Sequence, residues 1–177
     1  MLLPLLALVG VLLAAVLVLA SIRPADFRIV RSTSIQAAPA AVFGRVNDLR
    51  QFQDWSPWAK LDPSMKLTFS GPAAGVGCTS AWEGNNKVGA GRMTITESRP
   101  AERIRMNLEF LRPFKATNTT EFNFRADGNL TALEWSMTGR HNFVSKIFCL
   151  FTNMDRMIGS DFERGLAQLK ALTEAGP

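Results

Sequence analysis

Two titratable side chains, His141 and Glu83, stand out as candidates for chemistry. His141 is the one histidine of the 177-residue chain, and imidazole is the side chain best suited to general acid–base catalysis near neutral pH. It lies in a predicted loop between the last strand and the C-terminal helix, where a solvated histidine is also common. Nothing in the sequence points to a nucleophile, so a Ser-His-Asp triad is not indicated.

Glu83 is predicted to end a strand, between Trp82 and Gly84. A carboxyl group beside apolar walls holds its proton more tightly than one in water, so Glu83 could act as an acid or anchor a ligand hydroxyl. The alternative is an ordinary exposed glutamate at a strand end. Successive strand residues point to opposite faces, so only one of Trp82 and Glu83 faces the interior unless a bulge intervenes. Glu83 and His141 are weak candidates, and we assign no catalytic residue.

Metal, nucleotide and nucleic-acid sites are not indicated by the sequence. Cys78 and Cys149 are far apart, and with one histidine they do not give the closely spaced ligand pair that a zinc site requires. The glycines do not form a phosphate-binding loop before a helix. The net charge of +5 is spread without a Lys/Arg run, which suits proximity to anionic lipid headgroups better than nucleic acid. We therefore expect no metal, cofactor or nucleic-acid partner.

Tryptophan and methionine are the side chains best suited to contact an apolar ligand. Methionine adapts to irregular shapes, and tryptophan offers a large contact area with one N–H donor. The alternative for each of them is ordinary core packing. Of this group, Trp55 and Trp58 are the residues that we expect at a cavity mouth. The candidate cavity residues are Trp55, Trp58, Trp82, Met93, Met106, Trp135, Met154, Met157 and Ile158.

The first element that positions these residues is an apolar run at the N-terminus. Residues 2–22 carry no charged side chain, and about twenty helical residues span a bilayer core of roughly 30 Å. The alternative is a cleaved signal peptide, because Val18, Leu19 and Ala20 before Ser21 fit the small-residue cleavage rule. The length of the run, and the lack of a basic residue before it, favour a retained anchor over residues 1–22.

Three arginines follow this run and bear on its orientation. Arg23, Arg28 and Arg31 come after the span, so the positive-inside rule favours a single-pass membrane protein with its domain in the cytoplasm. Residues 23–26 form a short linker. Residues 27–175 form one domain, which therefore begins close to the membrane surface.

Alternation of apolar and polar residues predicts a sheet in this domain. A first strand begins at Phe27 and is followed by two short helices, one starting at Pro39 and one capped by Asp48. Period-two alternation over residues 65–138 then predicts six antiparallel strands in a meander, one of them over residues 76–83.

Residues 142–175 are predicted to form one long helix that begins at the N-cap Asn142. An antiparallel sheet with one apolar face must wrap around such a helix. The prediction is an α+β helix-grip fold, with a seven-stranded antiparallel sheet and one N-terminal transmembrane helix. Gly159 and Gly165 indicate a close passage over the sheet or space for a ligand, or they only bend the helix. The apolar stripe of this helix consists of Ile147, Phe151, Met154, Ile158, Phe162, Leu166 and Leu169.

Several segments of this domain resemble the SRPBCC superfamily (START-like, Bet v 1-like), and specifically its polyketide cyclase/dehydrase-like branch. The resemblance runs from about Phe27 to Leu172, and an N-terminal membrane span is common in that branch. The segments that carry it are residues 31–35, 38–39, 42–43, 55–58, 80–85, 91–97 and 157–166.

This resemblance implies an apolar cavity between the sheet and the C-terminal helix, used for lipids, sterols, polyketides or other hydrophobic ligands. It does not imply one activity. We expect membrane-tethered binding of a hydrophobic small molecule or lipid. One alternative is a polyketide cyclase/dehydratase-like enzyme. Another is a protein-interaction module without a ligand, which would expose a large apolar patch. The sequence leaves open the ligand, the oligomeric state, and whether the chain's own Phe and Met side chains fill the cavity.

Overall fold

The chain forms an apolar N-terminal helix followed by a seven-stranded sheet and four further helices in the computed structural model, which describes residues 2–176. The elements in chain order are α1 (Leu2–Ile22), β1 (Asp26–Ile35), α2 (Pro39–Asn47), α3 (Leu49–Trp55), β2 (Lys66–Ser70), β3 (Thr79–Glu83), β4 (Ala90–Arg99), β5 (Arg103–Arg112), β6 (Ala116–Asp127), β7 (Leu130–Arg140), α4 (Phe143–Phe151) and α5 (Met154–Glu174).

All neighbouring strands of the sheet are antiparallel, in the order β1-β7-β6-β5-β4-β3-β2. Strands β2 to β7 form the predicted meander, and β1 closes the sheet by pairing with β7. The concave face carries the apolar residues of each strand, as the alternation predicts, and α2, α3 and α5 cover it. The predicted α+β helix-grip fold is therefore confirmed.

One strand boundary differs from the prediction by more than two residues. The strand expected over residues 76–83 begins only at Thr79. Gly75 and Gly77 have φ angles of 80° and 89°, a left-handed conformation that a strand does not use. Val76 lies exposed between them, so these residues form a turn that leads into β3.

The predicted helix over residues 142–175 is wrong as a single element. Asn142 does cap α4, since its side chain accepts a hydrogen bond of 2.8 Å from Ser145 N. However, Thr152 is extended, at φ −129° and ψ 134°, and Asn153 caps a second helix by accepting a bond of 2.9 Å from Arg156 N. Because an N-cap competes with helix continuation, the apolar stripe divides between two separate helices, α4 and α5.

The core lies between α5, α3 and the middle of the sheet. The Trp135 ring stacks on Phe162 of α5, with centroids 3.9 Å apart and planes at 6°. Phe122 stacks on Trp135 at 4.9 Å, and Trp55 meets Trp135 edge-on at 5.6 Å. Direct contact between these rings fills this half of the interior with the chain's own aromatic side chains.

Arg31 of β1 fastens the N-terminal half of α5 to the sheet. Its guanidinium group donates to Asp155 Oδ2 at 3.1 Å and to Glu163 Oε1 at 2.7 Å. A side chain on Gly159 would collide with this guanidinium group. Six residues further along the helix, a Cβ on Gly165 would come within 2.9 Å of the Trp135 ring. Both glycines therefore mark close passage of the helix over the sheet.

Candidate ligand-binding site

One end of the concave face is incompletely covered. The chain passes from α1 into β1, and we call the end of the sheet where β1 begins the α1 end. The ends of β7 and β5 lie at this same end. Helix α5 packs on β1, α2 and α3. The inward-facing residues Trp82, Leu108 and Phe110, on β3 and β5, remain only half-buried. They form an apolar surface that the fold leaves partly open.

Trp82 is fixed at the edge of this surface. Its Nε1 donates to Val88 O at 3.1 Å, and its ring meets Phe110 edge-on, with centroids 5.9 Å apart. Gly91 lies opposite it on β4, and a Cβ there would collide with the indole. The ring can lie against the strand because residue 91 is glycine.

Glu83 points to the opposite face of the same strand. Its side chain is 69% exposed and lies 3.3 Å from Arg112 Nη2. Trp82 therefore faces the interior and Glu83 faces solvent, as strand alternation requires for two successive residues. The structure places Glu83 apart from the half-buried apolar surface.

Four of the candidate cavity residues, Trp55, Met93, Met106 and Trp135, are buried in the core. Trp55 is 0% exposed, so this residue of α3 lies in the core beneath the helix and not at a mouth. Its Nε1 donates to Arg45 O at 3.1 Å, and Trp135 Nε1 donates to Thr120 Oγ1 at 2.8 Å. Both indole donors are therefore used within the protein.

The remaining candidates lie nearer the surface. Trp58 is half-buried and meets Trp135 edge-on at 6.0 Å. Met154 and Ile158 are half-buried residues of α5 that pack against the core cluster. Met157 is exposed on α5. The structure thus brings Trp58, Met154 and Ile158 to the rim of the interior and leaves Met157 outside it.

Asn118 is a polar residue of the concave face that sequence reasoning missed. It is buried on β6, beside Leu108 of β5 and Gly139 of β7. Among the described residues, the hydrogen-bond contact of its side chain is Met137 Sδ at 3.9 Å, and a thioether is a weak acceptor. Its place in the inward alternation with Phe122 and Phe124 is the signal that identifies it.

His141 lies in a groove of about 480 Å³ next to this end of the sheet. Its ring stacks on Phe27 at 4.6 Å, and its Nε2 is 3.9 Å from Cys149 Sγ. Burial lowers the pKa of His141, and the nearby Lys146 cation lowers it further. The groove is lined by Arg23, Phe27, Arg28, Ile29, His141, Cys149, Leu150, Phe151, Thr152, Asn153, Met154 and Asp155.

This groove borders the core cluster through two of its side chains. Phe27 and Met154 line the groove and also pack against the core cluster. A larger depression of about 660 Å³ lies over β1, β7 and β6. Its lining combines the inward-facing Phe27 and Asn118 with Arg28, Thr117 and Thr138, which point away from the core.

By its length and composition, helix α1 could cross a membrane over Pro4–Ile22. This segment has a mean hydropathy of 3.0, and only 6% of it is buried within the protein. It is the one helix of this kind among residues 2–176. A signal sequence near the N-terminus passes the same criterion.

Residues 26–174 match the family model described as polyketide cyclase / dehydrase and lipid transport. No curated protein sequence matches the chain significantly. Solved structures at low identity share its fold. A protein of Chromobacterium violaceum has a TM-score of 0.60 at 18% identity, over 86% of this chain and 99% of its own.

Two further solved structures illustrate the range of proteins with this fold. The solution structure of the Aha1 dimer from Colwellia psychrerythraea has a TM-score of 0.61 at 18% identity, over 85% of this chain and 98% of its own. The di-domain ARO/CYC StfQ from the steffimycin biosynthetic pathway has a TM-score of 0.60 at 11% identity, over 85% of this chain and 51% of its own. At these identities the similarity establishes the fold alone.

Proposed function

Because this chain belongs to the polyketide cyclase / dehydrase and lipid transport family, we propose that it binds a hydrophobic small molecule or lipid on its concave face while α1 tethers it to a membrane. The observation that carries this proposal is the half-buried apolar surface at the α1 end of the sheet. Trp82, Leu108 and Phe110 face inward there without full cover. An apolar ligand would complete the cover and gain about 25 cal/mol for each Å² of apolar surface removed from water.

Asn118 gives this surface one polar position. Its amide offers two donors and an acceptor, and its contact with the Met137 thioether leaves hydrogen-bonding capacity free. Apolar ligands such as fatty acids and sterols carry one polar end. A buried amide among apolar side chains can orient such an end and favour one direction of entry.

The position of the surface fits delivery from a bilayer. The apolar surface and α1 lie at the same end of the domain, so a ligand that leaves the membrane has a short path to it. Tethering raises the local concentration of the domain at the membrane. Arg23 and Arg28, which follow the span, suit an anionic leaflet and favour a cytoplasmic domain.

Uptake of a fluorescent fatty acid, cis-parinaric acid, by the full chain in mild detergent tests the proposal. Leu108→Glu puts a carboxylate on the apolar surface and should weaken uptake by at least about tenfold, because a charge in an apolar contact loses its hydration. Leu111→Glu is the matched control, since Leu111 is exposed on the same strand. Equal uptake by the two variants would show that the concave face is not the site.

Native mass spectrometry of chain isolated from membranes tests the ligand class independently. A stoichiometric apolar molecule that survives isolation supports the binding function and identifies the ligand. A ligand-free mass, together with no uptake of fatty acids, sterols or phospholipids, would contradict it and favour a packed interior with an interaction role.

A cyclase-type or dehydratase-type enzyme is the second candidate. The observation that favours it is His141, which lies in an open groove where burial lowers its pKa and so favours the neutral imidazole that a general base requires. On this hypothesis His141→Ala abolishes turnover, whereas Glu83→Ala has little effect because Glu83 faces solvent. Turnover that survives both substitutions would exclude both residues.

A further inference from the structure

Helix α4 is an apolar helix with four exposed apolar side chains. Lys146 is the one charged residue of its nine, and none of the nine is buried. Phe151 is 76% exposed and Val144 is 63% exposed, and Phe143 and Phe148 are also exposed. A helix on the surface of a soluble domain normally buries its apolar stripe. Something outside the domain must cover α4.

The neighbour of α4 is the C-terminal half of α1. Arg23 Nη1, at the end of α1, donates to Cys149 O of α4 at 2.9 Å. The two helices enclose an apolar groove of about 570 Å³ that includes Val16, Leu19 and Phe151. The exposed side chains of α4 therefore continue the exposed apolar surface of α1.

We propose that α4 is a second membrane contact, an interfacial helix that lies in the boundary between lipid headgroups and acyl chains beside the end of α1. The position of α4 along the membrane span agrees with this role. A 19-residue span over Pro4–Ile22 has a length of roughly 28 Å, close to the thickness of a bilayer core. The α1 residues that line the groove shared with α4 lie over its last seven positions, from Val16 to Ile22, or roughly 9 Å of helix. Interfacial helices insert to about 5–10 Å.

Charges at the edge of α4 suit a lipid surface. Arg23 and Lys146 are basic, and neither is in a salt bridge within residues 2–176. The nearby acids are already paired, Asp26 with Arg140 at 3.1 Å and Asp155 with Arg31 at 3.1 Å. This pattern favours anionic headgroups around an apolar insertion.

The break between α4 and α5 then has a mechanical reason. Helix α5 packs on β1 of the sheet, whereas α4 packs on α1, so the two helices serve different surfaces. The extended Thr152 and the capping Asn153 separate them. The inference rests on the proposed tether through α1 and is independent of any ligand.

Accessibility of spin labels on the full chain tests this inference. Single cysteines replace Phe148 or Phe151 in a background of Cys78→Ala and Cys149→Ser, and each variant is reconstituted in vesicles of phosphatidylcholine and phosphatidylglycerol. Collisions with oxygen report lipid, and collisions with a water-soluble nickel chelate report water. Val76→Cys is the matched aqueous control, because Val76 is an exposed apolar residue in the loop between β2 and β3. Val11→Cys reports on α1 itself.

We expect labels at 148 and 151 to collide with oxygen more than with nickel, and the label at 76 to show the inverse ratio. If the label at 11 reports lipid while those at 148 and 151 report water, α4 is not a membrane contact although the tether stands. If labels at 148 and 151 are shielded from both reagents, a protein covers α4 and the inference is wrong. If the label at 11 reports water, the tether itself fails, and with it the premise of this inference.

Discussion

Gly165 gives a sharp test of how closely α5 approaches the sheet. A Cβ at this position would lie 2.9 Å from the Trp135 ring and 3.1 Å from Pro57 Cδ. Neither neighbour can move freely. Trp135 is stacked on Phe162 with centroids 3.9 Å apart and is held by its bond of 2.8 Å to Thr120 Oγ1, and Pro57 is a rigid ring. An alanine at 165 must therefore push α5 away from the sheet.

Two opposing terms set the size of the effect. Glycine to alanine within a helix gains about 1 kcal/mol of helix propensity. An extra methyl group in a packed contact costs about 1–3 kcal/mol. The difference predicts that Gly165→Ala lowers the free energy of unfolding by up to about 2 kcal/mol. Gly44 in α2 has no neighbouring atom within 4 Å of its built Cβ, so Gly44→Ala should instead raise it by about 0.5–1 kcal/mol.

Urea unfolding of the full chain in detergent, followed by tryptophan fluorescence, measures both variants against the unsubstituted chain. Opposite signs for the two substitutions support the close passage. A Gly165→Ala variant that is stabilised as much as Gly44→Ala would refute it. If Gly165 leaves room for a ligand, the variant keeps its stability but loses uptake of cis-parinaric acid, so the two assays together separate the two roles of this glycine.

Two further predictions concern charged groups. The hydrogen bond from Arg31 lowers the pKa of Asp155 in the folded protein. The ionised Asp155 therefore contributes fully to the free energy of unfolding above the pKa that it has in the unfolded chain, and this contribution is lost as the pH falls below about 4. Arg31→Met should therefore lower the free energy of unfolding at pH 7 more than Arg28→Met does, because the ion pair of Arg28 is exposed. Unfolding measured across pH should show that this difference shrinks in acid. Lys146→Gln should raise the pKa of His141 slightly, since burial is the larger cause of its lowering. NMR of the one imidazole measures this pKa, and an unchanged value would contradict the electrostatic effect of Lys146.

The sheet could be predicted from the sequence because its signals are local. Apolar and polar residues alternate along each strand, and turn residues such as Gly128, with φ 61°, separate them. The helix caps Asp48 and Asn142 could be predicted for the same reason, because the oxygen of a short side chain accepts a hydrogen bond from a backbone N–H two or three residues later. Strand register then follows from the requirement that the apolar face be buried.

The break in the C-terminal helix could not be read from the stripe of apolar residues. Phe151 and Met154 are spaced as on one continuous helix, and periodicity does not distinguish a helix from two helices in similar phase. The local signal was Asn153, a good N-cap inside an apolar run. Incomplete cover over Leu108 and Phe110 could not be predicted either, because it depends on where α5 crosses the sheet.

The two halves of the concave face have different physical roles. Stacked rings of Phe122, Trp135 and Phe162 fill one half, and this packing stabilises the fold without a ligand. The other half, around Leu108 and Phe110, stays partly uncovered. The uncovered half lies at the same end of the domain as α1. The proposed tether therefore brings to the lipid the part of the concave face that a ligand can cover.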